Sequence, residues 1–248
     1  MSNTQIEKQH NWWYSQLFTN WKKFEISYIS ILILLQLIVY AIVPDSVIGM
    51  ISGVAGVLCL VYGMKGRKIS FIFGTIQCIA MTYIAWISHA YGSFAMDIIY
   101  IISQPIGWFM WGKNEATHSF EANTRRKIFL AAFIAWIIGW FVLSMLGGQL
   151  PYLDSINFII SLIAQLLYIL KYKENWSLWI IVNIANATYW TILTIQMLMG
   201  ENSIGSLGAN LSQVALQFAL LFNSVYANKV WASGAANNEG GADRKSVV

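Results

Sequence analysis

Carboxamide and indole side chains recur at helical spacing within apolar stretches of this sequence. In the run 176–199, Asn183 and Asn186 fall on one face of a helix, and Trp179 and Trp190 fall within the same arc. Amides offer neutral hydrogen-bond donors and acceptors, and indoles offer flat faces on which an aromatic ring stacks. This combination suits an aromatic, polyhydroxylated small molecule. A cationic ring would gain a further ~0.5–2 kcal/mol from the indole π face.

Three other apolar runs carry side chains of the same kind. Gln104 and Trp108 share one face of the run 93–112, Gln77 lies near the middle of the run 69–90, and Asn210 and Gln213 lie in the run 203–227. Polar groups are costly in lipid, so their direction indicates where the protein interior or a water-filled path lies. The candidate substrate-binding residues are Gln77, Gln104, Trp108, Trp179, Asn183, Asn186, Trp190, Asn210 and Gln213.

Plainer interpretations of these residues stay open. Amides between membrane helices often serve only to hold helices together, at about 0.6 kcal/mol each. Trp111 and Trp176 lie near run ends and are interpreted as anchors at the membrane interface. Asp97 is interpreted as a helix-start carboxylate that meets water.

The elements that must position these side chains are long apolar helices. The chain is 57% apolar and only 10% charged, whereas soluble domains carry about 25% charged residues. Each apolar run approaches the roughly 20 residues that a helix needs to cross a bilayer. The sequence therefore predicts an all-α polytopic membrane protein with eight transmembrane helices. The runs cover 24–43, 46–64, 69–90, 93–112, 128–147, 152–170, 176–199 and 203–227.

The fifteen lysines and arginines fall in alternate connections and in the two flanking segments. The other four connections hold no lysine or arginine, and the positive-inside rule explains this sorting. Both termini are therefore predicted to be cytoplasmic, and the net charge of +4 is attributed to loops that face anionic lipid rather than nucleic acid. The cations are Lys8, Lys22, Lys23, Lys65, Arg67, Lys68, Lys113, Arg125, Arg126, Lys127, Lys171, Lys173, Lys229, Arg244 and Lys245.

The second and sixth runs are four crossings apart and therefore run in the same direction, as a parallel three-helix repeat requires. One gapless offset of 109 residues aligns Gln77 with Asn186 and Gln104 with Gln213. The predicted architecture is one peripheral helix followed by three, one and three helices. The predicted segments are an interfacial segment and peripheral span (1–45), a first bundle (46–113), a cytoplasmic linker and linker span (114–150), a second bundle (151–230) and a disordered cytoplasmic tail (231–248).

Two motifs resemble those of PnuC-type transporters. One is Gly107-Trp108-Phe109-Met110-Trp111, and the more specific one is W-x-x-W-x-x-x-N, formed by Trp176, Trp179 and Asn183. The resemblance extends over roughly 46–227. It implies a bacterial inner-membrane carrier of nicotinamide riboside, an NAD precursor, with a fold similar to that of SWEET sugar transporters.

The resemblance also implies facilitated diffusion, after which a cytoplasmic riboside kinase traps the substrate. Relatives of this kind carry other vitamins or nucleosides, so thiamine, riboflavin and deoxynucleosides stay open as substrates, and a SWEET-like sugar carrier is the nearest alternative. We expect the lipid bilayer and the small-molecule substrate as partners, and a homo-oligomer is possible.

Two other classes fit the residues poorly. An intramembrane enzyme would need a nucleophile with its base or a metal cluster, and His10, His89 and His118 are far apart with no ligand spacing. A retinal-type photoreceptor would need a lysine inside a span, and the interiors of the eight runs contain none. We therefore expect no enzyme activity, no cofactor and no bound metal.

Overall fold

The structure is a computed structural model that describes residues 12–42, 47–87, 91–113, 117–146, 150–200 and 207–234. These residues form ten α-helices and one π-helical segment, and an isolated bridge joins His118 to Tyr172. The helices are α1 (12–18), α2 (Lys23–Ile42), α3 (Val47–Met64), α4 (Ser70–Ile87), α5 (Tyr91–Lys113), α6 (Ala122–Met145), α7 (Pro151–Ser155), α8 (Ser161–Ile169), α9 (Glu174–Leu198) and α10 (Leu207–Ala232). The π segment, Ile156–Ile160, joins α7 to α8.

Within the described residues, each of the eight predicted apolar runs falls on helical structure. The sixth run is composite, since α7, the π segment and α8 follow one another without a break. Among the described residues, four helical stretches are long and apolar enough to cross a membrane: Val47–Met64, Ala122–Met145, Pro151–Ile169 and Glu174–Leu198. The all-helical membrane class is thus confirmed, whereas the count of eight crossings stays a prediction.

The helices divide into two compact units. The first contains α1 to α5 together with the end of α10 from Val230, and the second contains α6 to α9 and the rest of α10. In the second unit an apolar cluster joins α6, the π segment, α8 and α9. The predicted subdivision into two three-helix bundles and a linker helix stays a prediction.

Each unit contains a helix-to-helix turn with the same hydrogen bonds. After α3, the Gly66 amide donates to the Gly63 carbonyl and the Arg67 amide to the Tyr62 carbonyl, both at 2.9 Å. After α8, Lys171 and Tyr172 donate to Tyr168 and Leu167 at the same 2.9 Å. Both are Schellman motifs, which place one residue in the left-handed region. Gly66 has a φ of 70° and Lys171 a φ of 60°.

The equivalence of Gly66 and Lys171 sets the offset between these turns at 105 residues, not 109. Since α4 and α9 continue without interruption from their turns, Cys78 is equivalent to Asn183 in this register. The predicted pairing of Gln77 with Asn186, at an offset of 109, differs from this local register by four residues and stays a prediction. A gapless alignment could not detect the shift, because apolar helices match at many offsets.

A buried ion pair fastens the N-terminal segment, residues 12–25, to the turn between α3 and α4. The Lys65 ammonium lies 2.6 Å from the Glu25 carboxylate, and the two side chains are 0% and 2% exposed. Lys65 also donates to the Asn20 carbonyl at 2.9 Å. Asn20 lies between α1 and α2 with a φ of 53°. A buried ammonium needs such partners, because an unpaired charge is strongly disfavoured away from water.

Arg67 fastens the same segment from the other side of the turn. Its guanidinium donates to the Gln16 carbonyl at 2.7 Å and to the Thr19 carbonyl. The Trp21 ring lies beneath both cations, 4.9 Å from the Lys65 ammonium and 5.4 Å from the Arg67 guanidinium. Both charges are thus satisfied by α1 and the residues that follow it.

The end of α10 also packs into the first unit. The Trp231 side chain is 1% exposed, and its indole nitrogen donates to the Met64 carbonyl at 2.9 Å. Trp231 is the first residue of the predicted disordered tail, so that boundary is wrong, because a buried indole with a hydrogen-bond partner holds the helix end in place. Residues 235–248 lie outside the described residues.

Candidate functional site

The two candidate amides of the first unit lie against glycines of neighbouring helices. A Cβ atom at Gly56 of α3 would stand 2.8 Å from the Gln77 amide nitrogen. A Cβ atom at Gly74 of α4 would stand 2.6 Å from the Gln104 amide oxygen. The Gln104 nitrogen approaches the Cys78 sulfur at 4.0 Å, as a weak donor. The two glycines therefore leave the space that the amides occupy within the helix packing.

Replacing Gly74 with alanine should displace Gln104 and weaken substrate binding about 2- to 12-fold, which corresponds to the loss of one hydrogen bond. The new methyl group would also press on the Cys59 sulfur, 3.1 Å away, so the amide cannot simply shift toward Cys59. Gly53→Ala is the matched control, since its methyl group would meet Gln36, which is outside the candidate set. Equal affinities in the two variants, measured by calorimetric titration, would argue against a role for Gln104.

Trp108 lies toward the end of α5, with a cation on its ring face. The Lys68 ammonium stands 4.5 Å from the ring centroid, and the Trp12 ring meets Trp108 edge-on at 5.7 Å. Partial burial lowers the pKa of Lys68 below its usual value, because desolvation disfavours the ammonium form. Such a contact contributes about 0.5–2 kcal/mol, depending on its exposure to water.

The rest of the Gly107 to Trp111 motif packs the first unit. The Phe71 ring occupies the space where a Gly107 side chain would lie, and it meets Trp111 edge-on at 4.8 Å. Trp111 is 4% exposed and also contacts Trp231. Trp176 of the second unit is equally buried, against Tyr168. The interpretation of Trp111 and Trp176 as interface anchors is therefore wrong, since both indoles face other rings.

The polar face predicted for α9 is turned inward at Asn183, which is the more buried of the two candidate amides of this helix. Its side-chain nitrogen donates to the Ser224 hydroxyl of α10 at 2.9 Å, and both residues are buried. Ile181 and Ile184, on the opposite side of α9, are exposed. This division of the surface follows the helical period that the sequence predicted.

Asn186 is half-buried and turns toward a different neighbour. Its side-chain nitrogen donates to the Asn157 side-chain oxygen at 3.3 Å. Asn157 belongs to the π segment, where the Ser161 hydroxyl donates to its backbone carbonyl. Since π segments inside α-helices frequently occur at functional sites, this pair extends the polar face toward the sixth apolar run.

The two candidate indoles of α9 have different surroundings. Trp179 packs against the apolar cluster of the second unit, whose buried members include Ala164 and Val182. Trp190 is half-buried and meets Tyr189 edge-on at 5.4 Å. Trp179 is therefore held by helix packing, which fixes the orientation of any face that it offers to a ligand.

The buried polar face of α10 is larger than the candidate set. Gln213 is half-buried, and the side chain of Asn210 lies outside the described residues. Gln217, Asn223 and Ser224 are all buried. The Asn223 side chain is 1% exposed, and neither its nitrogen nor its oxygen has a hydrogen-bond partner among the described residues.

Asn223 and Ser224 are the residues that the sequence analysis missed. Ser224 follows Gln217 by seven residues, which places both on one face of α10, and this spacing was available in the sequence. Asn223 and Ser224 lie toward the C-terminal end of the eighth apolar run, away from the amides expected near the centre of the bilayer.

Within the described ranges, no three histidine, cysteine, aspartate or glutamate side chains lie close enough together to hold a metal ion. The polar groups of the candidate set are carboxamides and indoles, which bind ligands through hydrogen bonds and ring stacking.

A profile of the nicotinamide mononucleotide transporter family matches residues 46–233. This chain belongs to that family. The matched residues include all helices from α3 to α10, both motifs and all nine candidate residues. The resemblance to PnuC-type transporters is thereby confirmed.

Relatives of known name support the assignment. The chain is 30% identical to the nicotinamide riboside transporter PnuC of Neisseria mucosa over 232 residues, which are 89% of this chain and 85% of the relative. It is 33% identical to the PnuC of Haemophilus influenzae over 185 residues, 71% of this chain and 82% of the relative. A crystal structure of the vitamin B3 transporter PnuC matches with a TM-score of 0.73 and 28% identity, covering 91% of this chain and 97% of the other.

Membership in this family and the apolar helices identify a helical membrane protein of the transporter class. The structure adds the local geometry of the candidate residues. Gln77, Gln104 and Trp108 lie in the first unit, and the candidate residues of α9 and α10 lie in the second. Their joint contribution to one binding site stays a prediction.

Proposed function

We propose that this protein carries nicotinamide riboside across the bacterial inner membrane. The observation that carries the proposal is the inward polar face of α9, where Trp179 and Asn183 belong to the W-x-x-W-x-x-x-N motif and Asn186 follows three residues later. Nicotinamide riboside has a carboxamide, a ribose and a flat cationic ring. Amides can pair with the first two groups, and indoles can stack on the third.

The positions of the amides along their helices support a common depth. Asn183 lies nine residues after the start of α9 and Gln104 nine residues before the end of α5. At 1.5 Å per residue each is about 14 Å from its helix end, close to half of a ~30 Å hydrocarbon layer. With both of those ends at the cytoplasmic face, as the cations predict, the two amides lie near the centre of the membrane.

The charge of the candidate residues favours the riboside over the mononucleotide. All nine side chains are neutral, so none of them can give a phosphate dianion a cationic partner in exchange for its lost hydration, and the Lys68 ammonium beside them is already placed on the Trp108 ring. Phosphate recognition generally uses arginine, lysine or a helix N-terminus. We therefore infer that phosphorylation follows transport, and that a cytoplasmic riboside kinase traps the product.

Transport proceeds by facilitated diffusion in this proposal. The two predicted bundles, 46–113 and 151–230, contribute residues to one site and rock so that the site opens to each side in turn. The termini are cytoplasmic, because the segments rich in lysine and arginine stay on that side. The site also works in a homo-oligomer, since each copy carries a complete candidate set.

Purified protein in liposomes tests the substrate. We expect labelled nicotinamide riboside to enter and unlabelled riboside to compete, while nicotinamide mononucleotide and glucose do not compete at a hundredfold excess. Thiamine, riboflavin and a deoxynucleoside belong in the same competition. If any of these compounds displaces the label more effectively than the riboside, the substrate assignment is wrong.

The same liposomes test the mechanism. With no membrane potential across the vesicles, facilitated diffusion brings the internal concentration of the cationic riboside up to the external one and no further, and a proton ionophore leaves the rate unchanged. Enclosing a riboside kinase with ATP should then produce net accumulation as the phosphorylated product. Accumulation without the kinase, abolished by the ionophore, would show ion coupling instead.

A further inference from the structure

The turn between α3 and α4 carries three cations, of which two are buried and paired with groups of the protein. Lys65 is paired with Glu25 and with the Asn20 carbonyl. Arg67 is paired with backbone carbonyls of the N-terminal segment. Both side chains are buried, so neither is available to a ligand.

Lys68 differs from its two neighbours. Its ammonium stands 4.5 Å from the centroid of the Trp108 ring, and the side chain is only half-buried. Trp12 meets the same indole edge-on. An indole attracts a cation because its face carries negative charge density. A second cation on this ring would be repelled by the Lys68 charge.

We propose that Lys68 is a specificity-determining residue, whose ammonium occupies the face of Trp108 and disfavours a cationic ring there relative to a neutral ring of the same shape. The inference rests on the proposed function, because it requires Trp108 to contact the nicotinamide ring. Trp108 lies only five residues before the end of α5, about 8 Å along the helix axis. With that end at the cytoplasmic face, Lys68 weakens the hold on the substrate where it leaves the protein.

Two alternatives give different results in the same experiment. If Lys68 only steadies Trp108, its loss would weaken the binding of every ligand that touches this indole. If Lys68 binds a phosphate group, its loss would weaken the binding of nicotinamide mononucleotide. Only the proposed role, in which the Lys68 ammonium occupies the face of Trp108, predicts that the loss of Lys68 makes binding tighter. This gain is expected for a cationic ligand and not for a neutral one.

The test uses two ligands that differ in charge. Nicotinamide riboside carries a cationic pyridinium, and its dihydro form is neutral with nearly the same shape. We expect Lys68→Met to lower the Kd of the cationic riboside about 2- to 30-fold and to leave that of the dihydro form within twofold. Lys68→Arg keeps the charge and should behave as the wild type. Lys68→Gln is a second neutral variant, should the methionine variant not fold.

The outcomes separate this inference from the proposed function. If the wild type binds neither the riboside nor its dihydro form, both are overturned. If the wild type binds the riboside but Lys68→Met binds both forms equally weakly, or leaves both affinities unchanged, only the role of Lys68 is overturned. If Lys68→Met binds nicotinamide mononucleotide more weakly than the wild type does, the proposed role of Lys68 is also overturned, because Lys68 then binds the phosphate group.

Discussion

Replacing Glu25 with glutamine should destabilise the protein by about 3–5 kcal/mol, although Glu25 is far from every candidate substrate-binding residue in the sequence. The Lys65 ammonium is 0% exposed and lies 2.6 Å from the Glu25 carboxylate. Removal of the carboxylate charge leaves a buried ammonium without its counter-ion, which is among the most costly single changes. The measurement is the free energy of unfolding in a denaturant titration of the detergent-solubilised protein.

Two further variants show whether the ion pair itself is responsible. Glu121→Gln makes the same chemical change at an exposed glutamate before α6 and should shift stability by less than about 0.5 kcal/mol. The double variant Glu25→Gln with Lys65→Met removes both charges and should recover most of the loss, since a neutral buried pair has no uncompensated ion. A Glu25→Gln variant as stable as Glu121→Gln would show that Lys65 has another counter-ion.

Replacing Asn183 with leucine should weaken nicotinamide riboside binding about 10- to 150-fold while the protein stays folded. Asn183 is buried on the inward face of α9, and its loss removes hydrogen bonds worth together ~1.5–3 kcal/mol. Leucine has a similar volume and a high helix propensity, so α9 should persist. Ser224 loses one donor but can donate to a carbonyl of its own helix. Calorimetric titration gives the affinity, and thermal denaturation reports the folded state.

Ser224→Ala is the matched control for Asn183. It removes the 2.9 Å hydrogen bond between α9 and α10 but keeps the Asn183 amide. We expect it to lower stability by about 1–3 kcal/mol, because the amide loses a buried partner, and to change the affinity far less than Asn183→Leu does. Wild-type affinity in a folded Asn183→Leu variant would mean that this amide only joins two helices.

The helices and the inward face of α9 could be predicted because their causes are local. A run of apolar residues near 20 in length forms a helix in lipid wherever it occurs, and a period of 3.6 residues decides which side chains share a face. Asn183 and Trp176 are buried on α9 as this period requires. The family motifs were also readable, since they consist of residues within one turn or two of each other.

The offset between the two turns, the end of α10 and the hydrogen-bond partners of buried side chains could not be predicted in the same way. Lys171 has a left-handed φ like that of Gly66, and this match gives the offset of 105 between the two turns. Left-handed positions usually hold glycine, so a lysine there does not mark a turn in the sequence. Trp231 is held by a carbonyl 167 residues away, so composition alone placed it in a tail. Ser224 became the partner of Asn183 only through the packing of α10 against α9.

The cations illustrate which features the sequence determined and which features only the tertiary structure determined. Their distribution over alternate connections predicts an orientation in the membrane, because each charge interacts with lipid and water on its own side. Lys65, Arg67 and Lys68 are nearly equivalent in that pattern, within four residues of one another. Tertiary contacts alone pair the first two with the N-terminal segment and place the third on Trp108, since the partners come from residues about 40 or more positions away.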